Sequence, residues 1–173
     1  MLDSKLIYRL FHGLNEKLTQ KGEVAEIGIV GGTVMCLVFQ ARNATKDVDA
    51  IFEPTKIVRD LAKLVGEEEG VGENWLNDGA KAYIQGDFTK QDLLNLSNLR
   101  VWAPSADYML AMKCISARWD TNDKSDVIFL IKYLKLKKAK EVFSIIEMYY
   151  PKKQIPPKTQ FLVEEIFEGF ERG

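Results

Sequence analysis

The sequence predicts an α+β protein, in which a small mixed β-sheet with flanking helices is followed by a C-terminal helical bundle. Apolar runs typical of strands occur only before Pro104, and a three- to four-residue hydrophobic spacing dominates the chain after it. The second half also lacks the βαβ repetition of a doubly wound sheet. We therefore expect residues 1–103 to form the α/β core and residues 104–173 to form a helical part packed on it, in one continuous structural unit.

The spacing of apolar residues predicts the helices and strands, and residues such as Gly22 predict where they end. In the first half, a helix is expected at about 3–20, ended by Gly22, and a second over 33–42 after the Gly31-Gly32 pair. Strands are expected at 23–30, 46–54, 80–85 and 98–103, with a third helix over 55–66. Four further helices are expected at 105–119, 123–136, 138–150 and 157–170.

Composition limits the function classes. The chain has 173 residues, of which 46% are hydrophobic and 28% are charged, and its formal net charge is −1. This balance offers no global field that would attract nucleic acid or an anionic membrane. The amphipathic N-terminus and the lack of a long apolar window favour a cytoplasmic protein without membrane contact.

Cysteine and histidine content excludes two common kinds of site. Cys36 and Cys114 are far apart in apolar neighbourhoods, so we expect buried, reduced thiols and no disulfide framework. His12 is the only histidine, which excludes a histidine-based triad and a histidine-rich zinc site.

Two aspartates, Asp47 and Asp49, interrupt a segment that otherwise is typical of a core strand. Residues i and i+2 of a strand project from one face about 6.6 Å apart along the chain, so both carboxylates should share a face that Val48 avoids. Two such carboxylates repel each other unless a cation lies between them. Because one or two carboxylates together with substrate phosphates commonly hold Mg²⁺, the pair predicts a site for Mg²⁺ or Mn²⁺.

A glycine pair at the preceding strand-to-helix junction predicts a phosphate site. Gly31 and Gly32 permit close backbone approach, the helix start offers free N–H groups, and Thr33 adds a hydroxyl donor. Either motif alone is also common in ordinary turns and edge strands. Together they favour a nucleoside triphosphate held at the glycine turn, with a metal ion bridging it to Asp47 and Asp49 for nucleotidyl transfer.

These segments resemble the nucleotidyltransferases of the DNA polymerase beta-like superfamily, whose signature is Gly-Gly or Gly-Ser, a helix, then Asp-x-Asp. GIVGGTVMCLVF and ATKDVDAIF are similar to the bacterial minimal nucleotidyltransferases related to abortive-infection and toxin–antitoxin enzymes. The resemblance covers residues 24–135 approximately. It implies transfer of a nucleoside monophosphate to a hydroxyl of an RNA such as tRNA, a protein or a small molecule, with a cognate antitoxin as a candidate partner.

The resemblance also implies functional residues in the second half, where Lys113 and Asp126 match the group's lysine and aspartate. From the residues alone, a snorkelling surface lysine and a helix-capping aspartate fit these positions as well. Many members carry a third metal-binding carboxylate, which this sequence does not place. The candidates for it are Glu53, Asp78 and Asp87.

Two other functions are considered from the sequence, and a lysine cluster is open to two interpretations. If none of the three candidate acids serves, either Asp47 and Asp49 alone hold the metal ion, or the chain is a degenerate nucleotidyltransferase fold with a binding or regulatory role. A dinucleotide-binding turn is disfavoured, because the sequence lacks G-x-G-x-x-G. The five lysines between Lys132 and Lys140 would contact RNA phosphates, or else form a solvated helix end.

Overall fold

A computed structural model gives the fold for residues 1–117 and 122–172, apart from the side chain of Arg172. It is mixed α and β, which confirms the expected α+β class. The chain divides into two compact units, residues 1–81 with 90–104 and residues 82–89 with 105–173. Among the described helices, none is both long and apolar enough to cross a membrane.

The first unit contains a mixed five-stranded sheet, a two-stranded ribbon and three helices. In chain order the elements are β1 (Leu2–Asp3), α1 (Ser4–Lys21), β2 (Ala25–Ile29), α2 (Gly31–Leu37), β3 (Ala44–Thr45), β4 (Val48–Glu53), α3 (Thr55–Glu68), β5 (Leu76–Asn77), β6 (Lys90–Asn95) and β7 (Leu99–Pro104). The sheet order is β5-β4-β2-β7-β6, and β1 pairs with β3. β2 runs antiparallel to β4 and parallel to β7, so the sheet is mixed as expected.

Helix α1 begins and ends at the residues that its sequence indicates. The Asp3 side chain accepts a hydrogen bond from the backbone N–H of Leu6 at 2.8 Å, which caps the first turn. Gly22 ends the helix in the left-handed region, with φ of 68°. The apolar stripe of this helix is fully buried; it comprises Ile7, Leu10, Phe11, Leu14 and Leu18.

The expectations for residues 80–85 and 33–42 are wrong. The segment expected as a strand at 80–85 instead forms a short 3₁₀-helix, Gly79–Tyr83, with no buried side chain. The helix expected over 33–42 stops at Leu37, and the chain then adopts a left-handed conformation at Gln40, with φ of 52°. The strand β6 was not expected, because its sequence KQDLLN is polar, as an exposed edge strand permits.

The described residues of the second unit form four α-helices: α4 (Ala106–Ser116), α5 (Asp123–Tyr133), α6 (Ala139–Tyr149) and α7 (Pro157–Arg172). The last two residues of the expected helix 105–119 lie outside the described residues. Helix α4 forms the centre of this unit, since every residue from Tyr108 to Ile115 is buried. The segment 82–89 joins the unit through aromatic contact, because Phe88 stacks on Tyr108 at 3.9 Å between ring centroids.

Candidate functional site

The junction between β2 and α2 lies directly beside the start of β4. Antiparallel pairing places Ile29 opposite Ala50, and the Val30 N–H donates to the backbone carbonyl of Asp49 at 2.9 Å. The helix then begins at Gly31, whose φ of 64° lies in the left-handed region. Glycine takes this conformation without steric cost, which explains its position at the turn.

The Asp49 carboxylate lies between two glycines of the first unit. A Cβ atom built on Gly31 would lie 3.2 Å from Oδ2 of Asp49, and one built on Gly79 would lie 4.0 Å from Oδ1. The side chain of Asp49 is half-buried. The carboxylate is therefore directed at the glycine turn, with Oδ2 beside Gly31.

Asp47 lies in a bend immediately before β4, although the sequence predicts it within a strand. It is half-buried, like Asp49, while Val48 between them is fully buried. Two threonine hydroxyls donate to its backbone carbonyl, from Thr33 at 3.2 Å and from Thr45 at 3.1 Å. The bend that carries Asp47 is thus fixed by side chains of α2 and β3.

Thr33 has a different role from the phosphate donor that the sequence predicts. Its side chain is fully buried, and its hydroxyl is engaged with the carbonyl of Asp47. Thr33 is therefore a positioning residue for the acidic pair in this structure.

Arg42 is a member of the site that the sequence did not indicate. A Cβ atom on Gly32 would lie 3.3 Å from Nη1 of Arg42 and 2.6 Å from Oγ1 of Thr45. The guanidinium thus lies against the second glycine of the turn, as the carboxylate of Asp49 lies against the first. The only sequence signal for it is a cationic residue between the glycine pair and the Asp pair.

None of the three candidates for a third carboxylate joins the aspartates. Glu53 accepts hydrogen bonds from the N–H and the hydroxyl of Thr55, both at 3.2 Å, and lies about 13 Å from Asp49 along an extended strand. Asp78 forms an ion pair with Arg59 at 2.9 Å. Asp87 belongs to the second unit, where it is exposed.

The donor set at the turn is compatible with a hard cation. Among the described residues, no group of three or more histidine, cysteine, aspartate or glutamate side chains could hold a metal ion. Carboxylates such as those of Asp47 and Asp49 are ligands that Mg²⁺ or Mn²⁺ takes, and such ions complete their coordination with water and substrate phosphate oxygens. The residue that pairs with Asp49 across β4 and β5 is Asn77, an uncharged oxygen donor.

The second unit contains a buried ion-pair cluster formed by Lys113, Asp123 and Asp126. The Lys113 Nζ atom lies 2.8 Å from Oδ1 of Asp123 and 2.8 Å from Oδ2 of Asp126. Lys113 is in the last turn of α4, and the two aspartates share one face of the first turn of α5. The relative exposure of the three residues is 8%, 8% and 3%.

This cluster brings together the two residues that the resemblance singles out. Lys113 is buried and ion-paired, so the alternative of a snorkelling surface lysine does not describe it. Asp123 is a third member of the cluster.

All five lysines from Lys132 to Lys140 are exposed. Glu141, the next residue along the chain, accepts hydrogen bonds from the backbone N–H groups of Lys137 and Lys138, at 2.7 and 2.8 Å. These bonds hold the pKa of the Glu141 carboxyl below its ordinary value. The acid therefore caps α6, and the lysines lie at the end of α5, in the connection and at the start of α6.

Comparisons of the chain with profiles of known protein families, with curated protein sequences and with solved structures found no match. The resemblance to nucleotidyltransferases therefore stays a prediction from the sequence, and a function has to rest on the residues of the site.

Proposed function

We propose that the protein is a Mg²⁺-dependent nucleotidyltransferase, which moves a nucleoside monophosphate from a nucleoside triphosphate to a hydroxyl acceptor. The observation that carries this proposal is the placement of the Asp49 carboxylate against the Gly31 turn. A carboxylate and a glycine turn in contact form one site, in which a metal ion on the acid would reach phosphates at the turn.

Each residue of the first unit has a stated role in this proposal. Asp47 and Asp49 hold the metal ion, which when bound neutralises phosphate charge and lowers the pKa of an attacking oxygen. Gly31 and Gly32 let the phosphates approach the backbone. Thr33 fixes the bend of Asp47 through the 3.2 Å hydrogen bond to its carbonyl.

The proposed reaction is a displacement at the α-phosphorus of the triphosphate. The acceptor hydroxyl oxygen forms a bond to that phosphorus, and the bond from the phosphorus to the bridging oxygen breaks. Pyrophosphate leaves with the electron pair, and the hydroxyl proton passes to solvent. The acceptor is an RNA such as tRNA, a protein or a small molecule, and a toxin–antitoxin or phage-defence role in the cytoplasm belongs to the same proposal.

Lys113 and Asp126 enter the proposal through the resemblance. Their 2.8 Å contact supports a role of Asp126 in orienting the lysine, and Asp123 makes the same contact from the other carboxylate. We propose that the two aspartates hold the ammonium group of Lys113 in place within the second unit.

A second candidate function is a nucleotidyltransferase-like protein without catalysis, which acts as a binding or regulatory partner. The observation that favours it is the pairing of Asp49 with Asn77, together with the absence of a three-acid group in the described part of the chain. Such a protein would bind a triphosphate without transferring it.

The experiment that separates the two functions is transfer of label. Purified protein is incubated with each α-³²P-labelled nucleoside triphosphate, Mg²⁺, and cellular RNA and protein, beside an Asp47→Ala/Asp49→Ala variant. The matched control is Asp60→Ala/Asp92→Ala, which removes two exposed acids of the same unit. Transfer by the wild type and by the control, but not by the site variant, supports the transferase. Triphosphate binding without any transfer supports the second candidate.

A further inference from the structure

We propose that Arg42 binds the terminal phosphates of the nucleoside triphosphate at the Gly31-Gly32 turn. The inference rests on the proposed function and adds the residue that would bind the leaving pyrophosphate. The observation behind it is the position of the guanidinium, since Nη1 of Arg42 lies 3.3 Å from the place where a Cβ of Gly32 would stand.

The two glycines of the turn accommodate groups of opposite charge. Gly31 accommodates the carboxylate of Asp49 at 3.2 Å from its Cβ position, and Gly32 accommodates the guanidinium of Arg42. Neighbouring Cα atoms are about 3.8 Å apart, so an acidic and a basic group lie on adjacent residues of one turn. A magnesium triphosphate has a matching arrangement, because its metal seeks carboxylates and its outer phosphate oxygens seek cations.

The loop that carries Arg42 is held on both sides. The N–H of Ala41 donates to the carbonyl of Met35 at 2.8 Å, which ties the loop to α2. On the other side, β3 pairs with β1, with Thr45 opposite Leu2. The guanidinium therefore projects from a fixed backbone, which reduces the entropy that an arginine loses when it binds a phosphate.

The chemistry of arginine suits this task better than that of lysine. A guanidinium is charged at all working pH values and has five N–H donors, so it can bind two phosphate oxygens while it keeps a contact to the protein. Arg42 is half-buried, where water screens such an interaction less than at an exposed site. Placed at the turn, the group would neutralise the charge that develops on pyrophosphate as it leaves.

The test is an equilibrium binding measurement that needs no catalysis. Affinities for the α,β-methylene analogues of ATP, GTP, CTP and UTP, and for the four monophosphates, are measured by calorimetry with Mg²⁺. The proteins compared are the wild type, Arg42→Ala, Arg42→Lys and the matched control Arg9→Ala. Arg9 is an exposed arginine of the same unit, which pairs with Glu69 at 3.0 Å. Circular dichroism establishes that each variant is folded, and Arg42→Lys keeps the charge if Arg42→Ala does not fold.

We expect Arg42→Ala to bind the preferred triphosphate analogue about 10- to 100-fold more weakly than the wild type, the usual effect of losing a charged hydrogen-bonding group. The affinity of Arg42→Lys for the triphosphate analogue should lie between those of the wild type and Arg42→Ala. The triphosphate affinity of Arg9→Ala, and the monophosphate affinities of all variants, should stay within about twofold of the wild type. Unchanged triphosphate affinity in the folded Arg42 variants overturns the role of Arg42 and leaves the proposed function standing. A wild type that binds none of the four analogues overturns the proposed function itself.

Discussion

The Oδ2 atom of Asp49 lies 3.2 Å from the position that a Cβ atom would take on Gly31. This relationship joins the two motifs of the sequence, because the glycine turn and the acidic pair form one site in the first unit. It also makes residue 31 the most sensitive position for testing the site.

Replacement of Gly31 by alanine should impair both folding and activity. Left-handed backbone costs a non-glycine residue about 1–2 kcal/mol, and the added methyl group would press on the Asp49 carboxylate. We expect urea titrations to show a loss of at least about 1–2 kcal/mol in the free energy of unfolding. Label transfer should fall by about tenfold or more.

Gly22→Ala is the matched control for this substitution. Gly22 has nearly the same φ, 68°, but a Cβ there meets no atom within 4 Å. It should lose about 1–2 kcal/mol of stability from backbone strain alone and keep full transfer activity. Equal activity losses in the two variants would contradict the assigned role of Gly31.

The hydrogen bond from Thr33 to the carbonyl of Asp47 should contribute to stability and to transfer. Thr33→Val keeps the shape of the side chain and leaves the carbonyl with the hydroxyl of Thr45 alone. We expect a loss of about 1 kcal/mol in the free energy of unfolding and a several-fold lower kcat. Thr33→Ser, which keeps the hydroxyl, should retain most of the activity; if it behaves like Thr33→Val, the hydroxyl is not the group that matters.

Removing the cation from the buried cluster should be strongly destabilising. Lys113→Met removes the ammonium that pairs with the carboxylates of Asp123 and Asp126, and breaking a buried pair costs about 3–5 kcal/mol. Chemical denaturation measures this directly. The triple variant Lys113→Met/Asp123→Asn/Asp126→Asn removes the charges together and should recover part of the loss.

Lys124→Met is the control for that measurement. Lys124 pairs with Glu165 at 2.7 Å, but both side chains are largely exposed, so the cost should stay below about 1 kcal/mol. If the two lysine variants lose similar amounts of free energy of unfolding, the Lys113 cluster contributes no more to stability than an exposed ion pair.

Alkaline pH should reduce the contribution of Cys114 to stability. Burial raises the pKa of this thiol to about 12, whereas an unfolded cysteine titrates near about 8.5. Between these values only the unfolded state releases the proton, so the contribution is complete below the lower pKa and is lost as pH rises toward the higher one. The wild-type advantage over Cys114→Ala should shrink by about 2–3 kcal/mol between pH 8 and pH 10.5 in urea titrations. A stability difference between the wild type and Cys114→Ala that does not change with pH would contradict the raised pKa of Cys114.

The sequence predicts those parts of the site that depend on residues close together in the chain. A glycine pair after an apolar run and an Asp-x-Asp before another can be read without knowing how the chain folds. Arg42 could not be found this way, because its position at Gly32 depends on the course of the loop after α2. Nor could the contact of Asp123 with Lys113 be predicted, since it depends on how α5 packs on α4.

In the fold, too, the sequence predicts features that depend on neighbouring residues and does not predict those that depend on distant ones. Gly22 ends α1 where the sequence indicates, because a left-handed cap is a local requirement. The sequence does not predict strand β6, because an edge strand depends on pairing with its partner β7 and its own residues are largely polar. The apolar residues at 80–85 suggested a strand, but this stretch pairs with no other strand in the sheet.

Binding of Mn²⁺ tests the central claim, a metal–triphosphate site at the Asp49–Gly31 contact, most directly. Free Mn²⁺ is measured by electron paramagnetic resonance in the presence of the four α,β-methylene triphosphate analogues, for the wild type, Asp49→Asn and the exposed control Asp60→Asn. The site predicts one bound ion per chain in the wild type and in the control, and at least about tenfold weaker binding in Asp49→Asn. Equal Mn²⁺ affinity in all three proteins would contradict a metal site at Asp49.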